Sequence, residues 1–213
     1  MSVQVKICGI RDREVLESAV EGGAAAVGFA FVPGSPRELS PDDAARLAPH
    51  VPSAVLKVGL FVDPDDEAIA QAAEAAGLDV LQLHGRETPQ RASKIRGHFG
   101  LEVWKALPVS GPADVSATFA YEKAVDRLLF ASRPPAGARL PGGNALAFDW
   151  SLLAAPLPDL PWLLSGGLTA DNLADAVSAS GASVVDVSSG VERSRGVKDP
   201  ALVRAFLEKA ATL

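Results

Sequence analysis

The chain has one cysteine, Cys8, at the end of the apolar run VQVKIC. A thiolate at a strand end can act as a base or a nucleophile where nearby positive charge favours it. The plainer alternative is a small buried hydrophobe. Arg37, in PGSPR (Pro33–Arg37), offers a planar fork that suits a carboxylate, although a loop arginine can also be merely solvated. His84 ends the run VLQLH with no second histidine or carboxylate at metal-ligand spacing, so it reads as a hydrogen-bonding or pocket-lining imidazole. Two glycine-serine tripeptides, SGG (Ser165–Gly167) and SSG (Ser188–Gly190), each follow an apolar run. Glycine lets backbone N–H groups approach an anion, and a following helix N-terminus adds a favourable dipole. Asp63 and Asp149 read as loop or cap residues. A Walker loop, a GxGxxG after the first run and a nucleophile elbow are all missing from the sequence, which argues against a nucleotide cofactor and a serine hydrolase.

Eight short apolar runs position these residues: Val3–Cys8, Ala26–Phe31, Val55–Phe61, Val80–His84, Glu102–Ala106, Arg127–Phe130, Trp162–Ser165 and Val184–Ser188. Between them lie amphipathic segments with start signals. Asp12 precedes REVLESAVEGG, and Ser40, Thr88 and Asp199 each precede a proline at a first helical position. The crossover near FDWSLL is short, and the one near SGPADVSATF is the weakest. Strands joined by helical crossovers pair in parallel. The expected fold is α/β, a (β/α)8 TIM barrel formed as one domain over residues 1–213, with an open doubly wound sheet as the competitor. The length is a little short for such a barrel.

Helices cover the outside of a barrel, so the purely apolar face of each strand should point outward. Alternation then turns Gln4, Lys6, Cys8, Lys57, Gln82, His84, Lys105 and Asp186 inward. Charges inside a barrel require partners, and the first and eighth strands are neighbours on closure. Lys6 and Asp186 are therefore expected within ion-pair distance. In the sixth strand, Leu129 and Ala131 share the inward face, which places Ala131 at the C-terminal rim. Barrel chemistry sits at that rim, with phosphate usually held after strands seven and eight. The glycine pair in LPGGNALAFDW (Leu140–Trp150) could hinge a lid over the rim.

With 48% hydrophobic residues the chain can bury a sizeable core. A net charge of -6 makes nucleic acid and anionic membranes poor partners. A lone cysteine forms no internal disulfide and no zinc site. The N-terminal residues lack a secretory pattern, and no stretch approaches the ~18 apolar residues of a membrane span. The expectation is a soluble, cytoplasmic protein.

Seven segments, VKICGI, GFAFVPGSPR, GLFV, LQLHG, GGNALAFDW, LSGGL and DVSSGVE, together resemble the phosphoribosylanthranilate isomerases of tryptophan biosynthesis, in the family's order and over nearly the whole chain. The resemblance implies a (β/α)8 barrel that performs an Amadori rearrangement without a cofactor. The substrate is N-(5'-phosphoribosyl)anthranilate and the product 1-(2-carboxyphenylamino)-1-deoxyribulose 5-phosphate. It implies Cys8 as general base and Arg37 as the anthranilate carboxylate ligand, with His84, Gly143 and Asp186 as further substrate contacts. Gly166, Gly167, Ser189 and Gly190 would hold the phosphate. The family places a general-acid aspartate at the end of strand six, in patterns such as LLLDS or LLFDS. This chain reads LLFAS, which puts Ala131 there. The matching flanks suggest a deliberate Asp-to-Ala change that keeps binding and strongly reduces turnover. No metal is implied, the partner is a small sugar phosphate, and monomer and homodimer stay open. Two rivals are a barrel isomerase of histidine biosynthesis, disfavoured by Cys8 where that family has an aspartate, and a non-catalytic sugar-phosphate-binding barrel, favoured by Ala131.

Overall fold

A computed structural model describes residues 3–133, 137, 142 and 147–213. Eight parallel strands close into a barrel in chain order: β1 (Gln4–Cys8), β2 (Ala26–Ala30), β3 (Leu56–Phe61), β4 (Val80–Leu83), β5 (Glu102–Val109), β6 (Arg127–Ser132), β7 (Trp162–Leu164) and β8 (Val184–Val187). β8 pairs back onto β1, with Lys6 opposite Asp186. The open-sheet alternative is thereby excluded.

The expected caps form. Asp12, Ser40 and Thr88 accept from the backbone N–H groups of Val15, Asp43 and Arg91, and so start α1 (Arg13–Glu21), α2 (Pro41–Leu47) and α4 (Pro89–Phe99). Between the last two, Asp65 starts α3 (Asp66–Ala76). After β5 come the short α5 (Pro112–Ala117) and a 3-10 turn, Thr118–Tyr121, and after β6 the described residues hold a 3-10 turn, Trp150–Ala154. These economies fit eight βα units into 213 residues. α6 (Leu173–Ser180) and α7 (Pro200–Ala211) complete the outer layer, α7 being capped by Asp199.

Two apolar layers follow from strand alternation. The larger lies between strands and helices and includes Ile7, Phe29, Phe61, Leu83 and Phe130. The smaller fills the barrel: Ala26, Val58, Val80, Trp104, Ala106, Leu129, Ala131 and Leu163. Trp104 plugs its lower end, donating Nε1–H to Glu102 at 2.9 Å beneath the Arg127 guanidinium.

Two expectations of inward charge are corrected. Lys57 alternates with the interior residue Val58, so it lies on the outer face, half-buried, with Nζ beside Gly77. Lys105 alternates with Trp104 and Ala106, so it too faces outward. It is nonetheless 1% exposed, donating to the carbonyls of Leu83 and Gly85 and to Glu87 (2.9 Å). Gln4 shares the face of Lys6 and Cys8 and is exposed only because it sits at the N-terminal end of β1. The rule that the outer face is purely apolar fails because a lysine stem is itself apolar and its ammonium can find carbonyls or solvent at the helix layer.

After β8 the chain makes a small antiparallel hairpin, β9 (Glu192–Ser194) and β10 (Val197–Lys198), before α7.

Candidate active site

Lys6, Cys8 and Asp186 meet at the C-terminal mouth, as the alternation of β1 and β8 requires. Lys6 Nζ donates to Asp186 Oδ1 at 2.7 Å, and Ser165 Oγ donates to Oδ2 at 2.9 Å. The expected ion pair is present. Room for it comes from Gly28, opposite Cys8 on β2: a Cβ there would stand 3.0 Å from the Cys8 sulfur and 3.1 Å from Lys6 Nζ. Burial acts to lower the Lys6 pKa, but Asp186 and the Cys8 thiol outweigh it and the value rises above 10.5. Burial pushes the Cys8 thiol up, with Lys6 and Lys198 opposing. The pocket thus holds a thiol beside a firm ammonium, the thiol able to release its proton where a ligand or higher pH favours the thiolate.

One cavity of the mouth is lined by Cys8, Arg37, His84, Gly142 and Asp186. An adjoining one shares His84, Gly142 and Asp186 and adds Ala131, Ser132 and the loops after β7 and β8. Ala131 is 6% exposed there, presenting a methyl group. Gly166, Gly167, Ser189 and Gly190 line the same cavity. Gly166 and Gly167 hold positive φ values of 94° and 65°. A side chain at Gly190 would overlap the Leu168 carbonyl, so the two loops approach as closely as backbone allows.

His84 is half-buried, with Nδ1 3.3 Å from Gln82 Nε2 and Nε2 on the side facing Gly142. Burial, followed by the Lys105 charge, lowers its pKa to about 4. His84 is therefore a neutral donor at neutral pH.

Arg37 lies over Gly9, where a Cβ would stand 2.9 Å from Arg37 Cδ and φ is +82°. Its Nε and Nη2 donate to the two carboxylate oxygens of Glu192 at 2.6 and 2.9 Å.

The structure thus brings together Cys8, Arg37, His84, Ala131, Asp186 and all four glycine-loop residues. Gly143, and with it part of the Leu140–Trp150 segment, lies outside the described residues. Asp149 caps the 3-10 turn by accepting from Ser151, and Asp63 accepts from the Arg86 backbone. Sequence reasoning missed Glu192, Lys198 and Ser165. Glu192 ends DVSSGVE and Ser165 opens SGG, but nothing in either stretch shows a partner 155 or 21 residues away.

The family model described as N-(5'phosphoribosyl)anthranilate (PRA) isomerase matches residues 5–209. The chain is 55% identical over 214 residues to N-(5'-phosphoribosyl)anthranilate isomerase of Rhodospirillum centenum, covering 100% of both chains. Among solved structures it is similar to phosphoribosyl anthranilate isomerase of Thermotoga maritima, with a TM-score of 0.88, 37% identity and coverage of 99% and 100%. It is also similar, with a TM-score of 0.86, 36% identity and the same coverage, to a phosphoribosyl anthranilate isomerase in complex with reduced 1-(o-carboxyphenylamino)-1-deoxyribulose 5-phosphate.

Proposed function

The chain belongs to the N-(5'-phosphoribosyl)anthranilate isomerase family, and on that premise we propose that it binds N-(5'-phosphoribosyl)anthranilate and carries the Amadori rearrangement of tryptophan biosynthesis, weakened by the alanine at position 131. The whole chain acts as one barrel domain, without cofactor, on a small sugar phosphate. Among the described residues no helix is long and apolar enough to cross a membrane, and the reading keeps the enzyme cytoplasmic.

The observation that carries this reading is the convergence of Cys8, Arg37 and Asp186 on one cavity that adjoins the glycine loops. The glycine loops hold the 5'-phosphate through backbone N–H groups, and Arg37 holds the anthranilate carboxylate. The ribose lies between, within reach of His84 and Asp186. Ring opening requires a proton on the furanose oxygen and gives a Schiff base. The Cys8 thiolate then removes the proton from ribose C2, and the electron pair moves through the imine to give the enamine, which tautomerises to the ketose. An aspartate at position 131 would supply the first proton. Ala131 cannot, so water or another donor must. A positioned acid contributes about 10²–10⁴-fold, which sets the deficit.

A second reading, a barrel that binds the sugar phosphate without turning it over, is favoured by Ala131 alone. Turnover of phosphoribosylanthranilate by the chain and by Ala131→Asp separates the two. Activity that rises with the aspartate makes the chain an isomerase short of its acid. Silence from both, with ligand bound, leaves the binding protein.

A further inference from the structure

Glu192 and Lys198 stand opposite each other across the β9–β10 hairpin, outside the eight-stranded barrel. Both side chains are buried, at 4% and 2% exposed. Glu192 meets Arg37 with both oxygens, and Oε2 also accepts from Gly196 N–H at 2.9 Å. Lys198 Nζ donates to the Ser188 carbonyl at 3.1 Å and to Glu192 Oε1 at 3.4 Å. The hairpin is pressed onto the loop that carries Arg37: a Cβ at Gly196 would stand 2.5 Å from the Pro36 carbonyl.

A two-point carboxylate fork fixes the plane of a guanidinium as well as its position. Packing over Gly9 confines the Arg37 stem, and the fork sets the orientation of its head. A carboxylate beside a site for a carboxylate ligand is electrostatically unfavourable in itself. Lys198 offsets this: two cations lean on one Glu192 carboxylate, and the cluster keeps a net positive charge toward the pocket.

We infer that Glu192 is a positioning residue for carboxylate recognition, holding the Arg37 guanidinium in the one plane that meets an aryl carboxylate, with Lys198 as its charge-balancing partner. The inference rests on the reading of Arg37 as the carboxylate ligand. It commits the β9–β10 hairpin to specificity rather than to mere closure of the fold.

Calorimetry with two ligands tests it: reduced 1-(o-carboxyphenylamino)-1-deoxyribulose 5-phosphate and its phenylamino analogue without the carboxylate. The native protein prefers the first. In Glu192→Gln that preference falls by about tenfold, the scale of one charge-assisted hydrogen bond, while the analogue binds as before. Equal weakening of both ligands would make Glu192 structural and overturn the inference. So would tighter binding of the carboxylate ligand, because charge rather than orientation would then be its role. Glu192→Asp keeps the charge and shortens the reach, so it serves if the glutamine variant does not fold, with a lost preference expected and a kept one overturning. Arg37→Met is measured alongside. A preference lost there but kept in the Glu192 variants refutes the positioning role alone. A preference kept in Arg37→Met refutes the carboxylate reading of Arg37 itself.

Discussion

Lys6 on the first strand and Asp186 on the eighth meet across the seam of the barrel, Nζ to Oδ1 2.7 Å, with side chains 1% and 5% exposed. Breaking one side of such a buried pair strands the other charge, at a cost of about 3–5 kcal/mol. Lys6→Met should therefore lower the unfolding free energy by that amount in urea melts. The folded Lys6 pKa lies above 10.5, so the pair's contribution is complete below 10.5 and is lost as pH rises through the folded value. The gap between native and Lys6→Met stays constant from about pH 7 to 10 and narrows above that. A gap that closed below pH 10 would contradict the direction of the shift.

Cys8 is the sole cysteine, so its ionisation is read directly from iodoacetamide alkylation. Its pKa lies above 9.0 because burial outweighs Lys6 and Lys198. The rate should rise roughly tenfold per pH unit from pH 7 to 9 with no plateau, since only the thiolate reacts. Lys198→Met removes one opposing charge and should slow alkylation further at pH 8. A plateau near neutral pH would show a thiolate already formed.

Placing an aspartate at position 131 should raise turnover at least a hundredfold if the proposed acid role holds, within the ~10²–10⁴-fold range of a positioned acid. Cys8→Ser in that restored background should return it to silence. The reduced product analogue should bind both forms with similar affinity, because its phosphate and carboxylate are held elsewhere. A large affinity difference would mean that position 131 grips the ligand.

His84 has a folded pKa of about 4 against 6.5 for a free imidazole. Between these values the unfolded chain takes up a proton that the folded one refuses, so stability falls as pH drops from 6.5 to 4. The loss is roughly 3 kcal/mol across that window. His84→Gln should flatten this part of the profile. Nuclear magnetic resonance should place the imidazole midpoint near the lower value, and a midpoint near 6.5 would refute the burial argument.

Gly190→Ala would drive a methyl group into the Leu168 carbonyl and force the loops after β7 and β8 apart. Affinity for the sugar phosphate should drop by about tenfold or more as backbone donors lose the phosphate, while the dephosphorylated sugar binds as before. Equal loss for both ligands would move the phosphate elsewhere.

The ring of eight strands was legible because each run is short, apolar and followed by a capped helix or turn. Ser40–Pro41, Thr88–Pro89 and Asp199–Pro200 mark starts that formed where expected. Which face looked inward was legible on β1 and β8, where one face is cleanly apolar, and on β6 only through the register of Ala131. It was not legible on β3 and β5. Leu56, Val58 and Leu60 face the barrel, yet Phe61 on the opposite face is as apolar as they are. Trp104 is inside while Lys105 reaches outward to Glu87. Alternation separates two faces and cannot say which is which when both are mixed. Glu192 escaped for another reason: its partner Arg37 is 155 residues away, and only closure of the ring makes them neighbours.

The seam has a consequence for the order in which the molecule is made. On the ribosome β1 emerges first and β8 nearly last, so Lys6 spends most of synthesis without the carboxylate 180 residues downstream. Through that interval the growing sheet is open, with β1 a bare edge able to pair with another nascent chain. The arrival of Asp186 joins the ends of the sheet and brings together the Cys8 thiol, the Lys6 ammonium and the pocket around them. A partial chain would therefore hold Cys8 without the pocket around it, and the proposed chemistry would begin with the last strand.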